Sequence, residues 1–97
     1  MVKASKGGIY CKETDLFVKT GIKELHLLEM LIKNQGRAVS KETLIERIWG
    51  YDNESEYNNI EVYVSFLRKK LQFIGSRVKI KSVRMIGYML EREESDD

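Results

Sequence analysis

The sequence predicts an α+β domain: a short N-terminal antiparallel sheet, three helices, and a C-terminal β-hairpin. Three observations predict it. Short apolar runs of strand type flank polar turns at both ends of the chain. Three stretches of helical periodicity lie between them, two closed by glycine. Basic residues gather in the last third. At 97 residues the chain has the length of one domain, and 42% hydrophobic residues suffice for a single modest core.

Met1 to Gly8 is polar and aperiodic, and is expected to be a linker remnant or a frayed end. Ile9-Tyr10-Cys11 and Leu16-Phe17-Val18 then read as two strands around a polar turn. Cys11 alternates with apolar neighbours and reads as a small strand residue, with a reactive thiol as the alternative. One cysteine excludes an internal disulfide and a cysteine-rich zinc site.

Thr20-Gly21 opens a first helix, with Glu24 placed to act at its first turn. Ile22, Leu25, Leu28 and Ile32 are expected on its buried face, widened by Leu27 and Leu31. Asn34-Gln35-Gly36 stops it. Ser40 is the N-cap expected for a second helix over Lys41 to Trp49, with Leu44, Ile45, Ile48 and Trp49 inward and Gly50 as terminator. Tyr51 to Glu56 is a polar, acidic loop. A third helix is predicted over Tyr57 to Phe73, and a hairpin over 78–90 with its turn at Arg84-Met85-Ile86-Gly87. Two short helices leading into a longer one, followed by a hairpin, is the element order of a winged helix-turn-helix.

The third helix has two unlike faces. At about 100° per residue, Ile60, Val64, Leu67 and Leu71 fall on one stripe, continued by Ile74, which is read as core. The opposite side carries Asn58, Val62, Ser65, Phe66, Lys69 and Phe73, flanked by Asn59 and Tyr63. A merely solvated face would be charged and flexible, whereas this one mixes amide, hydroxyl, aliphatic and aromatic groups. That mixture suits the DNA major groove: Asn reads adenine, Ser bonds a base or phosphate, and Val or Phe meets a thymine methyl. Arg68 and Lys69 would neutralise phosphates and fix register. Phe73, near the helix end, is expected to pack. The alternative is a docking patch for a protein, formed by Val62, Tyr63 and Phe66.

Charge distribution favours a polyanion. Residues 1–56 carry nine basic and nine acidic residues; residues 57–92 carry eight basic against two acidic; Glu93, Glu94, Asp96 and Asp97 form an acidic tail. In the hairpin, Lys79 and Lys81 share a strand face and Arg84 falls near the tip, as a cationic ribbon that straddles a phosphate backbone or reaches the minor groove would require. Alternating lysines also guard an edge strand against aggregation, and for Lys79 both readings stand.

Taken together, these segments resemble the DNA-binding domain of OmpR/PhoB-family response regulators. Tyr57-Asn58-Asn59-Ile60-Glu61-Val62-Tyr63-Val64-Ser65-Phe66-Leu67-Arg68-Lys69-Lys70-Leu71 is similar to the family's recognition helix. Gly36-Arg37-Ala38-Val39-Ser40-Lys41-Glu42-Thr43-Leu44 and Ile48-Trp49-Gly50 resemble its G-R-V-V-S-R-E-x-L and V-W-G segments. Ile80-Lys81-Ser82-Val83-Arg84-Met85-Ile86-Gly87-Tyr88 resembles its wing. The likeness runs over about residues 16 to 91 and implies a winged helix with its domain at 9–92. It implies binding to direct repeats of promoter DNA as a tandem dimer, and contact with RNA polymerase through Tyr51, Asp52, Asn53, Glu54, Ser55 and Glu56. By position, it implies that Val62 and Phe66 face bases and that Asn58, Asn59, Tyr63 and Arg68 meet phosphates. Trp49 would offer an amide or ring edge to phosphate, Ser82 would touch backbone, and Arg84 would enter the minor groove.

The sequence departs from the family pattern at Asn58, where arginine is common, at Phe66, where the position is often basic or polar, and at Met85, where the wing has glycine. Thr20-Gly21 shifts the family's L-T pair, and the N-terminal region has room for two or three strands rather than four. Family members carry a phospho-accepting receiver domain, for which 97 residues leave no room. The chain is therefore read as an excised piece, with Gly7-Gly8 in the linker, or as a stand-alone regulator. No cofactor is expected. Neither is catalysis: His26, the only histidine, lies on the first helix in an expected half-buried structural role, and no nucleophile–base set can be assembled. Without a leader-like start or an apolar run near 18 residues, a soluble cytoplasmic protein with no membrane role is expected, monomeric until it pairs on DNA.

Overall fold

The computed structural model describes residues 2–5, 7–50 and 60–92. Among them the order is β1 (Val2–Ser5), β2 (Gly8–Cys11), β3 (Leu16–Lys19), α1 (Ile22–Lys33), β4 (Val39–Ser40), α2 (Lys41–Trp49), α3 (Ile60–Phe73), β5 (Val78–Val83) and β6 (Gly87–Arg92). β1, β2 and β3 form one antiparallel sheet in that order, and β4, β6 and β5 form a second. No helix of the described residues is long and apolar enough to cross a membrane.

The linker reading of residues 1–8 is corrected. Val2 to Ser5 pair with β2 along its length, and Val2 is buried in the core. Four residues, Val2-Lys3-Ala4-Ser5, are too few and too weakly apolar to mark a strand by themselves, and pairing with the next strand makes them one. Ile9 and Cys11 point inward, as alternation predicts, and Cys11 is buried.

α1 begins as expected, the Glu24 carboxylate accepting the Gly21 amide at 3.2 Å. Its buried face is turned from the predicted one: Leu27, Leu28 and Leu31 are fully buried, whereas Ile22 is 70% exposed. Ile22 and Leu31 are nine residues apart, which at about 100° each is half a turn, so both cannot face the core. His26 is exposed, so its expected half-buried role is also corrected.

α2 has the predicted bounds. Ser40 caps it by accepting the Thr43 amide at 3.1 Å, and Gly50 ends it at φ 87°, a left-handed conformation natural to glycine. β4 has no strand signature of its own, because its two residues are strand only through bonds to β6. In α3 the stripe Ile60, Val64, Leu67 and Leu71 is buried, continued by Ile74, and it packs with α1, α2 and both sheets into one core.

Candidate nucleic-acid interface

With its inner stripe committed to the core, α3 turns the other side outward. Val62 is 46% and Phe66 44% exposed, and Ser65 and Lys69 are exposed with them. The predicted face therefore lies on the surface. Phe73 continues the same angular position and is 67% exposed, which corrects the expectation that it packs. Tyr63 is half-buried on the flank. Its ring centroid lies 5.4 Å from Trp49 and 6.3 Å from Phe66, edge-on to the latter at 86°. The Phe66 ring thus rests on Tyr63 in an edge-to-face contact.

The indole of Trp49 belongs to that row, with the Lys23 ammonium 5.3 Å from its ring centroid. Its Nε1 is buried without a hydrogen-bond partner among the described residues, so the ring edge implied as a phosphate contact is turned inward here. Asn58, Asn59 and the loop from Tyr51 to Glu56 lie outside the described residues.

The hairpin is anchored at three points, to β4, to the start of α2 and to α3. Gly87 lies against β4 so closely that a Cβ there would stand 2.0 Å from the Val39 carbonyl oxygen, which only glycine tolerates. The Lys41 amide, at the start of α2, donates to the Ile86 carbonyl at 3.3 Å. Arg68, read from sequence as a phosphate contact, reaches sideways from α3. Its Nε donates to the Ile80 carbonyl at 3.1 Å and its Nη2 to Ser82 Oγ at 2.9 Å. That guanidinium couples the orientation of the helix to that of the wing. Ser82, implied as a backbone contact, is its partner. Sequence reasoning missed this because the pair is separated by 14 residues and lies on different elements.

Between α2, α3 and the hairpin turn lies an open cleft of about 470 Å³, bordered by Lys41, Glu61, Ser82, Arg84 and Met85. Glu61 would repel a polyanion there, but Lys41 Nζ stands 2.8 Å from its carboxylate and holds its pKa below the ordinary value through that hydrogen bond and charge. Arg84 is exposed at the rim. Lys81 is exposed and lies 3.6 Å from Glu91, and Lys79 is exposed on the same strand. A second missed feature sits beneath α3: Lys70 Nζ meets the buried Glu24 carboxylate at 2.7 Å, fastening α3 to α1.

Comparison with known proteins agrees with this architecture. The family model described as "Transcriptional regulatory protein, C terminal" matches residues 15–90. The transcriptional regulatory protein DltR of Streptococcus agalactiae serotype III (strain NEM316) is 42% identical over 74 residues, 76% of this chain and 33% of that protein. The response regulator MprA of Mycobacterium leprae (strain TN) is 42% identical over 67 residues, 69% of this chain and 29% of its own. The chain thus spans about a third of the length of these curated relatives. Among solved structures, the C-terminal domain of the nisin resistance regulator NsrR superposes with a TM-score of 0.77 at 29% identity, covering 96% of this chain and 94% of that one. The DNA-binding domain of the response regulator AdeR, solved in complex with an intercistronic region, gives 0.77 at 19% identity over 94% of both chains and supports the fold alone. On the family match, the relatives and the fold, the chain belongs to the transcriptional regulatory C-terminal domains, the winged-helix DNA-binding effector domains of OmpR/PhoB-type response regulators.

Proposed function

We propose that this domain binds double-stranded promoter DNA with sequence preference, α3 lying in the major groove and the β5–β6 wing on the neighbouring backbone and minor groove. The observation that carries the reading is the division of α3. One side is buried core, and the other offers Val62, Ser65, Phe66 and Lys69 to solvent beside a wing rimmed by Arg84. Val62 and Phe66 meet thymine methyls, Ser65 bonds a base edge or phosphate, and Tyr63, Lys69, Lys81 and Arg84 meet the sugar–phosphate backbone. Asn58 and Asn59, which precede α3 in the sequence, add contacts to the phosphates.

In the parent protein a phosphorylated receiver domain controls the pairing of two such domains on direct repeats, in the cytoplasm. The segment from Tyr51 to Glu56 faces RNA polymerase. Binding is expected to weaken steeply with salt, with a log–log slope of about −4 for about four neutralised phosphates. Phe66→Ala should shift base preference by about 1–3 kcal/mol at one base pair, measured by competition among duplex variants. Unchanged affinity and preference in Phe66→Ala would refute the base-facing role, and a protein ligand competing for the same face would favour docking instead.

A further inference from the structure

The hairpin turn ends in an apolar tip that the fold does not use. Met85 is 97% exposed and Ile86 52%. The Ile86 amide donates to the Val83 carbonyl at 3.0 Å, closing a turn whose third residue is Met85, at φ 67°. That position of a turn favours glycine or asparagine, and an ordinary side chain there costs the fold stability. The cost is not returned by packing, since the thioether stands almost wholly in water.

The arm beneath the tip is held firmly by Gly87 against β4, by the Lys41 amide on Ile86, and by Arg68 on Ile80 and Ser82. Arg84, the residue before Met85, is exposed and cationic. A rigid ribbon therefore presents a flexible, polarizable apolar point with a positive shoulder. Two apolar residues make too small a patch for protein docking, whereas minor-groove proteins insert single apolar side chains between base steps while neighbouring cations meet phosphates.

We propose that Met85, flanked by Ile86, is an apolar wedge that the wing carries into the minor groove, where it opens one base step. This rests on the DNA-binding reading above and adds to it a contact made by the strained residue itself.

Wild-type protein, Met85→Gly and Met85→Asn are compared on duplexes recovered by selection from a random-sequence library, with 2-aminopurine placed in turn at the steps flanking the bound site. Both replacements tolerate the left-handed backbone, so folding is retained. Met85→Gly is expected to melt about 3 °C higher, through relief of the turn. Both variants are expected to bind about tenfold more weakly, the worth of burying most of a methionine side chain. The rise in 2-aminopurine fluorescence at one step on wild-type binding is expected to vanish with either variant. Variants binding within twofold of wild type, or wild-type binding that leaves every 2-aminopurine position dark, would overturn the wedge while leaving the DNA-binding reading intact. Recovery of no bound duplex would overturn both.

Discussion

Replacing Arg68 separates the charge of the recognition helix from its geometry. β5 is the outer strand of its sheet, and the Arg68 guanidinium covers part of that edge through bonds of 3.1 Å to the Ile80 carbonyl and 2.9 Å to Ser82 Oγ. Hydrogen bonds to charged groups contribute about 1.5–3 kcal/mol when shielded. This side chain is exposed, so solvent screening reduces its contribution, and Arg68→Ala is expected to cost about 1–2 kcal/mol. For a domain of this length, that is a fall in melting temperature of about 5–10 °C. Hydrogen exchange should quicken at the β5 and β6 amides while the α1 amides stay protected. Arg68→Lys keeps the charge but loses the planar fork, and should destabilise nearly as much. DNA affinity should fall for both variants, because the wing no longer holds its angle to α3. If Arg68→Lys matches wild type in stability, exchange and affinity while Arg68→Ala weakens binding alone, the residue acts only through its charge on phosphate and the bridge is incidental.

Glu24→Gln should destabilise the fold by about 1–3 kcal/mol in chemical unfolding, because it leaves Lys70 half-shielded without its counter-charge; a double-mutant cycle with Lys70→Met should show coupling between them. Gly87→Ala should cost about 3 kcal/mol or prevent folding, as its Cβ would press on the Val39 carbonyl, and thermal melts would register the loss. The Glu61 carboxyl, followed by NMR titration, should have its midpoint below the ordinary 4.5, because Lys41 favours the charged form. A lowered folded-state pKa contributes stability that is present above the ordinary value and lost as pH falls through the folded one, so Lys41→Ala should raise the midpoint and flatten that acid dependence.

Much of the architecture was readable because it is local. The Ser40 cap, the Gly50 stop and the buried stripe of α3 each follow from residues a few positions apart. Most of what escaped was set by partners distant in sequence. β4 is a strand only through its pairing with β6, and Glu24, a helix-start residue by its local sequence, also holds Lys70 46 positions on. β1 lies close to its partner β2 in the chain, but Val2-Lys3-Ala4-Ser5 carries too weak a strand pattern to show it. Arg68 reads as a phosphate contact from its charge and from its place in the family pattern; its reach to β5 depends on how the wing folds back. The exposed face was legible at Val62, Ser65, Phe66 and Lys69 through helical angle, and the same angle applied to Phe73 would have predicted its exposure. The tip was legible only as a departure from pattern at Met85, and the left-handed backbone there gives that departure its meaning.

The central claim is that the outward side of α3 and the tip of the wing form one surface for duplex DNA. Amide and side-chain NMR shifts of the labelled domain, titrated with a selected duplex at low ionic strength, test it most directly. Concerted shifts are predicted at Val62, Ser65, Phe66, Lys69, Arg84 and Met85, with β1 to β3 little changed, and salt should reverse them. Shifts gathered on β1 to β3 and α1, or none at any duplex concentration, would contradict it.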